Sequence, residues 1–388
     1  MARFTKRNLA NILAGQSYLG YVIGVGVFGI PYAFAQSGFF VGMAYLAFLG
    51  IVIVSLNLMY GEVVSGIPGR HRFVGYVKRI LGNRFGYFAA ALSLFSIWGA
   101  LVAYTLVGGQ FMFSLLSPTF GGDVFLYQMV FLIFGCFFGF GGLKIISEAE
   151  MLLVAALVLT MLLISARGAI SVDVNNLLGF VPKNALLPYG VVMFALMGQG
   201  VIPQMKDILG RYKSDLRRIL CFGTAIIVLL YAAFAFGVVG ATGNATTPEA
   251  IVGLGYAFGS WIVILGALMG FLAVSTSFLL VFKELNESFE YDLGFTKLLG
   301  WFLTLAVPAL ILVSGVENFV HVISFTGAVF GGAIAALTVF MYIKVCAKTK
   351  ATAGSLCSQV KTPVALLMII VFVLGAILEV ASIIANAI

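Results

Sequence analysis

Long apolar runs alternate with short polar connections along the whole chain. About eleven runs reach the length of roughly 20 residues that a helix needs to cross the hydrocarbon core of a bilayer. The pattern predicts an all-α polytopic membrane protein with about eleven transmembrane helices. The runs lie near residues 10–35, 39–65, 86–116, 124–142, 147–168, 185–210, 216–240, 258–283, 297–315, 319–345 and 362–385.

Two of these runs are interrupted by glycines followed by a proline, at Gly24–Pro31 and at Phe194–Pro203. Glycine frees the backbone, and proline removes an amide donor and clashes with the preceding turn, so a helix that carries both unwinds locally. Unpaired backbone groups are tolerated at membrane depth only where they are buried in protein or line a cavity. The motifs therefore predict two discontinuous helices around a central binding site, as in secondary transporters.

The two motif prolines, Pro31 and Pro203, fall in the first and sixth runs. Because a unit of five helices ends on the side opposite to its start, a second such unit enters the membrane in inverted orientation. We expect an inverted repeat of five plus five helices at residues 1–170 and 171–345. Residues 346–388 are expected to form a cytoplasmic linker and a peripheral eleventh helix.

Charge is scarce, and its placement predicts the orientation of the chain. The sequence is 62% hydrophobic and 9% charged, with a mean hydropathy of +1.13 and a net charge of +8. With a cytoplasmic N-terminus, 20 of the 22 Lys and Arg residues fall inside, and only Arg167 and Lys183 fall outside. This is the positive-inside pattern, with the C-terminus outside. It assigns the basic residues to the lipid surface and argues against a nucleic-acid partner.

Four motifs in this order resemble the amino acid/auxin permease family, within the amino acid–polyamine–organocation superfamily. They are Ile23–Pro31, Tyr60–Val64 with the basic loop Pro68–Arg72, Phe194–Pro203 and Thr276–Leu279. Bacterial relatives of that family include aromatic amino acid permeases. The resemblance implies the five-plus-five fold of leucine-type transporters and a location in a prokaryotic cytoplasmic membrane.

The broken helices supply candidate groups for the two charges of an amino acid. Amides freed at Gly24, Val25 and Gly26 precede a half-helix whose dipole favours the substrate carboxylate. Carbonyls left unpaired near Phe194, Ala195 and Leu196 suit the ammonium group, and Gly198 belongs to the same break. The alternative is that these small residues only allow close helix packing.

Two aromatic residues are candidate substrate contacts. The resemblance implies that Phe194 caps the substrate and that Tyr104, midway along the third run, faces the site. The Tyr104 hydroxyl could donate to the substrate carboxylate. The alternative is a packing tyrosine whose hydroxyl is satisfied within the protein.

The coupling ion is left open between H⁺ and Na⁺. The resemblance implies a sodium site formed by the carbonyls of Gly20, Ile23 and Ala273 with the hydroxyls of Thr276 and Ser277. Serine and threonine hydroxyls also commonly bond back to their own helix, and proton-coupled relatives carry a similar motif.

Glu62, near the end of the second run, is the candidate proton carrier. A carboxylate at membrane depth is expensive and is a functional candidate by default. The alternative is a residue at the helix end that pairs with Arg70, Arg72 or Lys144.

Together these features predict a cation-coupled symporter of neutral amino acids, aromatic or branched-chain ones included, that works by alternating access. A membrane sensor that binds an amino acid without transporting it is the alternative. No nucleophile–base pair, metal cluster or phosphate loop suggests an enzyme, and neither a cofactor nor an obligate protein partner is indicated.

Overall fold

The computed structural model describes residues 2–69, 71–141, 146–348 and 362–387, and within them it is helical with no strand. The first helices are α1 Ala2–Val22, α2 Gly26–Ser37, α3 Phe39–Gly66, α4 Phe73–Leu81, α5 Asn83–Phe120, α6 Val124–Gly141 and α7 Ile146–Ile170. Next come α8 Asn175–Leu178, α9 Leu187–Leu196, α10 Ile202–Leu209, α11 Leu216–Thr242 and α12 Leu254–Phe258. The last are α13 Ser260–Glu287, α14 Lys297–Val313, α15 Phe319–Phe325, α16 Gly332–Lys348 and α17 Thr362–Ala387.

All eleven predicted runs correspond to helical segments in the described part of the chain. Seven segments there are long and apolar enough to cross a membrane, and the bent pair α1–α2 makes an eighth. One of the seven, Pro182–Ala245, contains both the sixth and the seventh run. The two remaining runs are the shorter apolar helices Val124–Gly139 and Lys297–Val313. The predicted fold class is confirmed.

The first break separates α1 from α2, which meet at an angle of 50°. The Ile23 amide makes the last helical bond, to the Leu19 carbonyl at 2.8 Å, and the Gly24 amide turns back to the Val22 carbonyl at 2.9 Å. The amides of Val25 and Gly26 have no hydrogen-bond partner among the described residues. The break therefore leaves two adjacent donors at the start of α2.

The second break follows α9. Met197 is extended, Gly198 has φ −127° and ψ 11°, and one turn of 3₁₀ helix runs over Gln199–Val201. Pro203 lies in the first turn of α10, where a missing amide leaves no helical bond unmade. The discontinuous helices 1 and 6 that the sequence predicts are both present.

A third interruption was not predicted. The tenth run consists of α15 and α16 joined by a π-helical segment at Thr326–Gly331. Such segments are rare and occur frequently at functional sites, because the wider turn displaces side chains and carbonyls.

Several connections that contain Lys and Arg residues lie on the same side of the helix bundle, where they contact segments distant in the sequence. The Arg7 guanidinium binds the Asp215 carboxylate at 2.6 and 2.7 Å, and Lys206 Nζ donates to the Val64 carbonyl at 2.7 Å. Arg72 binds Glu287 at 2.5 Å. We call the end of the bundle that holds these groups the basic side.

The ion pair at the basic side changes the chemistry of its carboxylate. Hydrogen bonds from the Arg7 guanidinium and the Asn11 amide hold the pKa of Asp215 below its usual range, at about 2. Asp215 is therefore charged at every physiological pH and fixes the start of α1 to the start of α11.

The final helix, α17, lies at the periphery. Of its apolar window, 22% is buried, against 61% for the segment Phe319–Ala347. Large apolar side chains such as Ile51, Leu229 and Leu367 are exposed on the outer surface of the bundle, as a lipid-facing surface requires. The repeat boundaries given above remain a prediction, and residues 349–361 of the expected linker lie outside the described residues.

Helices α7 and α11 cross through a glycine contact that gives a test of the fold. A Cβ atom added at Gly168 would lie 2.2 Å from the Gly237 carbonyl oxygen, a backbone atom that cannot move aside. We predict that Gly168→Ala destabilises the protein by about 1–3 kcal/mol, the usual effect of overpacking. Thermal unfolding of the detergent-solubilised protein measures the loss.

Gly66→Ala is the matched control, because a Cβ atom at Gly66 meets nothing within 4 Å. It should leave the midpoint of unfolding unchanged. Equal midpoints for the two variants would contradict the close crossing of α7 and α11.

Candidate substrate site

A cavity of about 180 Å³ lies where the two broken helices meet. Its wall comes from both breaks, from α5 and α13, and from the π-helical segment of the tenth run. Eight of the predicted site residues line it: Gly20, Gly24, Val25, Gly26, Tyr104, Phe194, Ala195 and Ser277. Six others are not part of this lining: Ile23, Glu62, Leu196, Gly198, Ala273 and Thr276.

The two breaks touch each other through their backbones. A Cβ atom added at Gly26 would lie 2.8 Å from the Ala195 Cα atom, so only glycine permits this approach. A Cβ atom at Gly24 would lie 2.6 Å from the Tyr104 hydroxyl oxygen. The Tyr104 hydroxyl therefore lies against the first break, and its role in binding a carboxylate stays a prediction.

Two carbonyls of the second break that were expected to be unpaired accept hydrogen bonds. The Phe194 carbonyl accepts from the Met197 amide at 3.4 Å, and the Ala195 carbonyl accepts from the Tyr231 hydroxyl at 3.3 Å. The expectation of unpaired carbonyls at these two residues was therefore wrong, because the chain turns back on itself and a tyrosine from α11 reaches the break. Each carbonyl oxygen keeps a second lone pair that can accept from an ammonium group.

Tyr231 was missed by the sequence argument. Its fully buried hydroxyl lies between the Val22 carbonyl, at 3.0 Å, and the Ala195 carbonyl, at 3.3 Å. One hydroxyl thus joins the carbonyl ends of both broken helices. The sequence gives no signal for this role, because Tyr231 is one of 15 tyrosines and lies within an unbroken apolar run.

Gly198 and Leu196 serve packing at this break. A Cβ atom at Gly198 would lie 2.7 Å from the Tyr18 ring, so the glycine lets α1 approach the second break closely. Leu196 is buried in the core. Close helix packing, the alternative considered for the small residues of the breaks, fits Gly198.

Two of the five candidate sodium ligands are engaged with each other, and the sodium site stays a prediction. Thr276 Oγ1 donates to its own helix, at 2.9 Å to the Ala273 carbonyl and 3.3 Å to that of Leu272. The Ala273 carbonyl is itself one of the five, so these two groups bind each other. Gly20 and Ser277 line the cavity, whereas Ile23 is buried away from it.

Glu62 lies apart from the candidate substrate site. It lines a second cavity, of about 330 Å³, together with Lys213 and Arg217 near the basic side. Two of the cations considered as its partners, Arg70 and Lys144, lie outside the described residues. The third, Arg72, is bound to Glu287.

The central cavity contains a carboxylate that the sequence argument overlooked. Glu284 lines the wall, two turns of α13 beyond Ser277. The predicted run ended at residue 283, so Glu284 was assigned to a connection, but α13 continues to Glu287. Helix boundaries are the least certain part of any sequence-based assignment, and here the boundary concealed a polar group of the cavity.

Gln199 is a second polar group that the sequence argument missed. It lines the cavity, its Nε2 donates to Thr338 Oγ1 at 3.0 Å, and its buried Oε1 has no partner among the described residues. It follows directly on Gly198, so the motif itself contained it.

The cavity extends from the breaks toward the basic side. Tyr21, Phe73, Ser93 and Glu284 carry its wall in that direction. On the opposite side, the rings of Phe28 and Phe111 pack edge to face with centroids 5.0 Å apart, and both are almost fully buried. The cavity is therefore closed on the side of Phe28 and Phe111, and it opens toward the basic side.

Comparison with known proteins identifies the family. Residues 10–380 match the family model described as the tryptophan/tyrosine permease family. The chain belongs to this family. The amino acid/auxin permease assignment suggested by the motifs is not supported, because those glycine–proline and Thr-Ser motifs reflect the shared fold rather than one family.

Solved structures place this permease among leucine-transporter-type folds. MhsT, crystallised in complex with L-phenylalanine, aligns with a TM-score of 0.71 and 14% identity over 96% of this chain and 98% of its own. A manganese transporter from Eremococcus coleocola, in complex with an aromatic bis-isothiourea compound, aligns with a TM-score of 0.64 and 13% identity. That alignment covers 97% of this chain and 92% of the other. Comparison with curated proteins gives no significant sequence match.

The permease is accordingly an integral membrane protein that transports an amino acid, and it is not an enzyme. The two structural relatives differ in cargo, one binding an amino acid and the other named as a manganese transporter. The fold therefore does not determine the substrate, and the residues that line the cavity must do so.

The contact between the two breaks gives a test of the site. We predict that Gly26→Ala reduces transport about 5- to 150-fold, because its methyl group must displace the Ala195 backbone and strain of about 1–3 kcal/mol corresponds to this range. Initial uptake rates in proteoliposomes measure the effect.

Gly15→Ala, in the same broken span, is the control, since the nearest atom to a Cβ at Gly15 is Cγ2 of Ile219 in α11, 3.9 Å away. It should transport normally. Wild-type uptake by Gly26→Ala would show that the breaks are not in contact.

A second test concerns the hydroxyl that joins the breaks. Tyr231→Phe leaves two buried carbonyls without this donor, which should lower the free energy of unfolding by about 1–3 kcal/mol and weaken substrate binding. Tyr127→Phe removes a similar bond, from a hydroxyl to the Gly121 carbonyl at 2.7 Å, far from the cavity. It should lower stability and leave substrate affinity unchanged. Equal affinities in both variants would contradict the bridging role of Tyr231.

Proposed function

We propose that the protein is a proton-coupled symporter that carries an aromatic amino acid toward its basic side, which faces the cytoplasm of a prokaryotic cell. The observation that carries this proposal is the pair of unpaired amides at the first break, inside a cavity that both broken helices line. The family match supports an aromatic substrate.

The backbone of the first break binds the substrate carboxylate. The amides of Val25 and Gly26 lie at the N-terminal end of α2, where the helix dipole favours a negative charge. The Tyr104 hydroxyl, positioned above Gly24, supplies a further donor. The ammonium group lies toward the second break, where the carbonyls of Phe194 and Ala195 have lone pairs to spare.

The substrate side chain occupies the apolar part of the cavity. Phe194 forms one wall, and Ile97 and Ala100 of α5 form another. Gly327 in the π-helical segment also lines the cavity, and its lack of a side chain lets this segment pack closely against Phe194. Aromatic rings pack favourably against such a wall by edge-to-face contact and by area burial. No Lys or Arg side chain lines the cavity among the described residues, which favours neutral over acidic amino acids.

Two observations favour a proton over sodium. The Thr276 hydroxyl donates within α13, to the carbonyl of Ala273, so two of the five candidate sodium ligands are engaged with each other. The Tyr231 hydroxyl takes the position between the carbonyls of Val22 and Ala195, where freed carbonyls of broken helices often bind sodium. The five-residue sodium site remains the alternative, and the experiment below distinguishes it.

The orientation rests on the basic side. Its cations, Lys206 and Arg211 among them, are expected at the cytoplasmic surface by the positive-inside rule. The cavity then opens inward and releases its substrate into the cytoplasm.

Uptake into proteoliposomes tests the proposal. We predict accumulation of tritiated phenylalanine, tyrosine or tryptophan under an inward proton gradient without sodium, with competition by aromatic amino acids at least about tenfold stronger than by alanine, because an aromatic ring buries far more apolar area. Uptake that requires a sodium gradient would overturn the coupling. Equal competition by alanine would overturn the aromatic preference.

A further inference from the structure

The cavity wall contains one carboxylate that substrate binding leaves unused. Glu284 is half-buried, and its carboxylate forms neither an ion pair nor a hydrogen bond within the described part of the chain. Its neighbours on α13 are paired with each other and with a loop, since Glu287 binds both Lys283, at 3.7 Å, and Arg72, at 2.5 Å. A carboxylate without such compensation in a membrane helix requires a functional explanation.

Direct binding of the substrate ammonium does not explain Glu284. It lies seven residues beyond Ser277 on the same helix, which corresponds to about 10 Å along the axis. The unpaired amides that bind the carboxylate lie at the break itself. A zwitterion held there cannot reach Glu284, which instead faces the open, basic-side part of the cavity.

The groups around Glu284 allow its carboxylate to gain and lose a proton. Tyr21 of α1 lines the same wall, and a phenol with an ordinary pKa of about 10 is uncharged at neutral pH. Helix α5 adds the hydroxyls of Ser93 and Ser96 to this part of the wall. Glu287, one turn beyond Glu284, is the anion that holds the cations Arg72 and Lys283.

We propose that Glu284 carries the coupled proton, a role that rests on the proton-coupled transport proposed above. One proton from water on the outer side binds the Glu284 carboxylate together with substrate loading. The same proton returns to water on the basic side once the cavity opens there. No other bond is made or broken, and one proton moves with each amino acid.

The ion pair of Arg72 explains how this proton controls the cavity. With Glu284 neutral, Arg72 remains on Glu287 and the basic-side mouth stays open, as in this structure. When Glu284 is ionised, its carboxylate and that of Glu287, one turn away on α13, both attract Arg72. Arg72 then lies across the basic-side mouth of the cavity. The empty carrier then closes on the basic side only after it has lost its proton.

Separation of exchange from net transport tests this role. Glu284→Gln is permanently neutral, so it should exchange internal for external amino acid at the rate that the wild type shows at pH 5, where Glu284 is protonated in this proposal. It should lose the roughly tenfold accumulation that a gradient of one pH unit supports for one proton. Its exchange rate should also become independent of pH between 5 and 8, whereas the wild-type rate changes over this range.

Glu290→Gln is the matched control, because Glu290 is an exposed carboxylate on the next turn of the chain. It should accumulate substrate normally. Accumulation by Glu284→Gln would overturn the proposal, as would loss of exchange in a variant that still binds substrate. Loss of accumulation in Glu62→Gln with normal Glu284→Gln would assign the proton to Glu62 instead.

The outcome separates this inference from the proposed function. If the wild type accumulates substrate only with sodium, the proton-coupled function fails first. If Glu284→Gln fails to insert, carbodiimide labelling of the wild type replaces it, since the reagent modifies protonated carboxyls in apolar surroundings. Labelling at Glu284 that declines as pH rises is expected, and its absence where other carboxyls are labelled contradicts the proposal.

Discussion

Backbone groups without helical partners at membrane depth are the constraint on which this structure depends. Each such group costs several kcal/mol in hydrocarbon unless a protein group, water or a ligand satisfies it. At the two breaks, the protein pairs some of these backbone groups itself and leaves others unpaired. The Tyr231 hydroxyl shares its one proton between the carbonyls of Val22 and Ala195, and the amides of Val25 and Gly26 are left without a protein partner among the described residues. In the binding mode proposed above, the substrate carboxylate completes a hydrogen-bonding arrangement that the chain alone leaves unfinished.

Close backbone contact makes this arrangement sensitive to conformation. Gly26 and Ala195 meet without an intervening side chain, so a shift of one broken helix moves the other. The phenylalanine rings above the breaks close one side of the cavity, and the polar groups below the breaks open toward the other. A substrate that binds both breaks therefore interacts differently with the two states, which is what coupling to alternating access requires.

The sequence predicted the spans and both breaks because these signals are local. The hydropathy of a span is a sum over neighbouring residues. The helix is disturbed at the positions of its own glycines and prolines, which are Gly24, Gly26, Pro31 and Pro203. Tyr231 escaped prediction for a physical reason. In helices that are apolar on all faces, periodicity does not reveal which face points inward, so the contact of one tyrosine hydroxyl with the breaks cannot be predicted.

Glu284 and Glu62 illustrate the same limit for charged groups. Both were near predicted helix ends. Glu284, which lines the cavity, lay one residue beyond the predicted end of its run and was excluded, whereas Glu62, which lies apart from the cavity, was retained. The four motifs fixed the fold but not the family, since transporters with different cargo share that fold.

A substrate-bound structure of the protein in lipid nanodiscs tests the central claim most directly. It should show an aromatic amino acid between the two breaks, with its carboxylate within hydrogen-bond distance of the Val25 and Gly26 amides. A substrate bound elsewhere, or these two amides paired with protein groups while the substrate is present, would contradict the account.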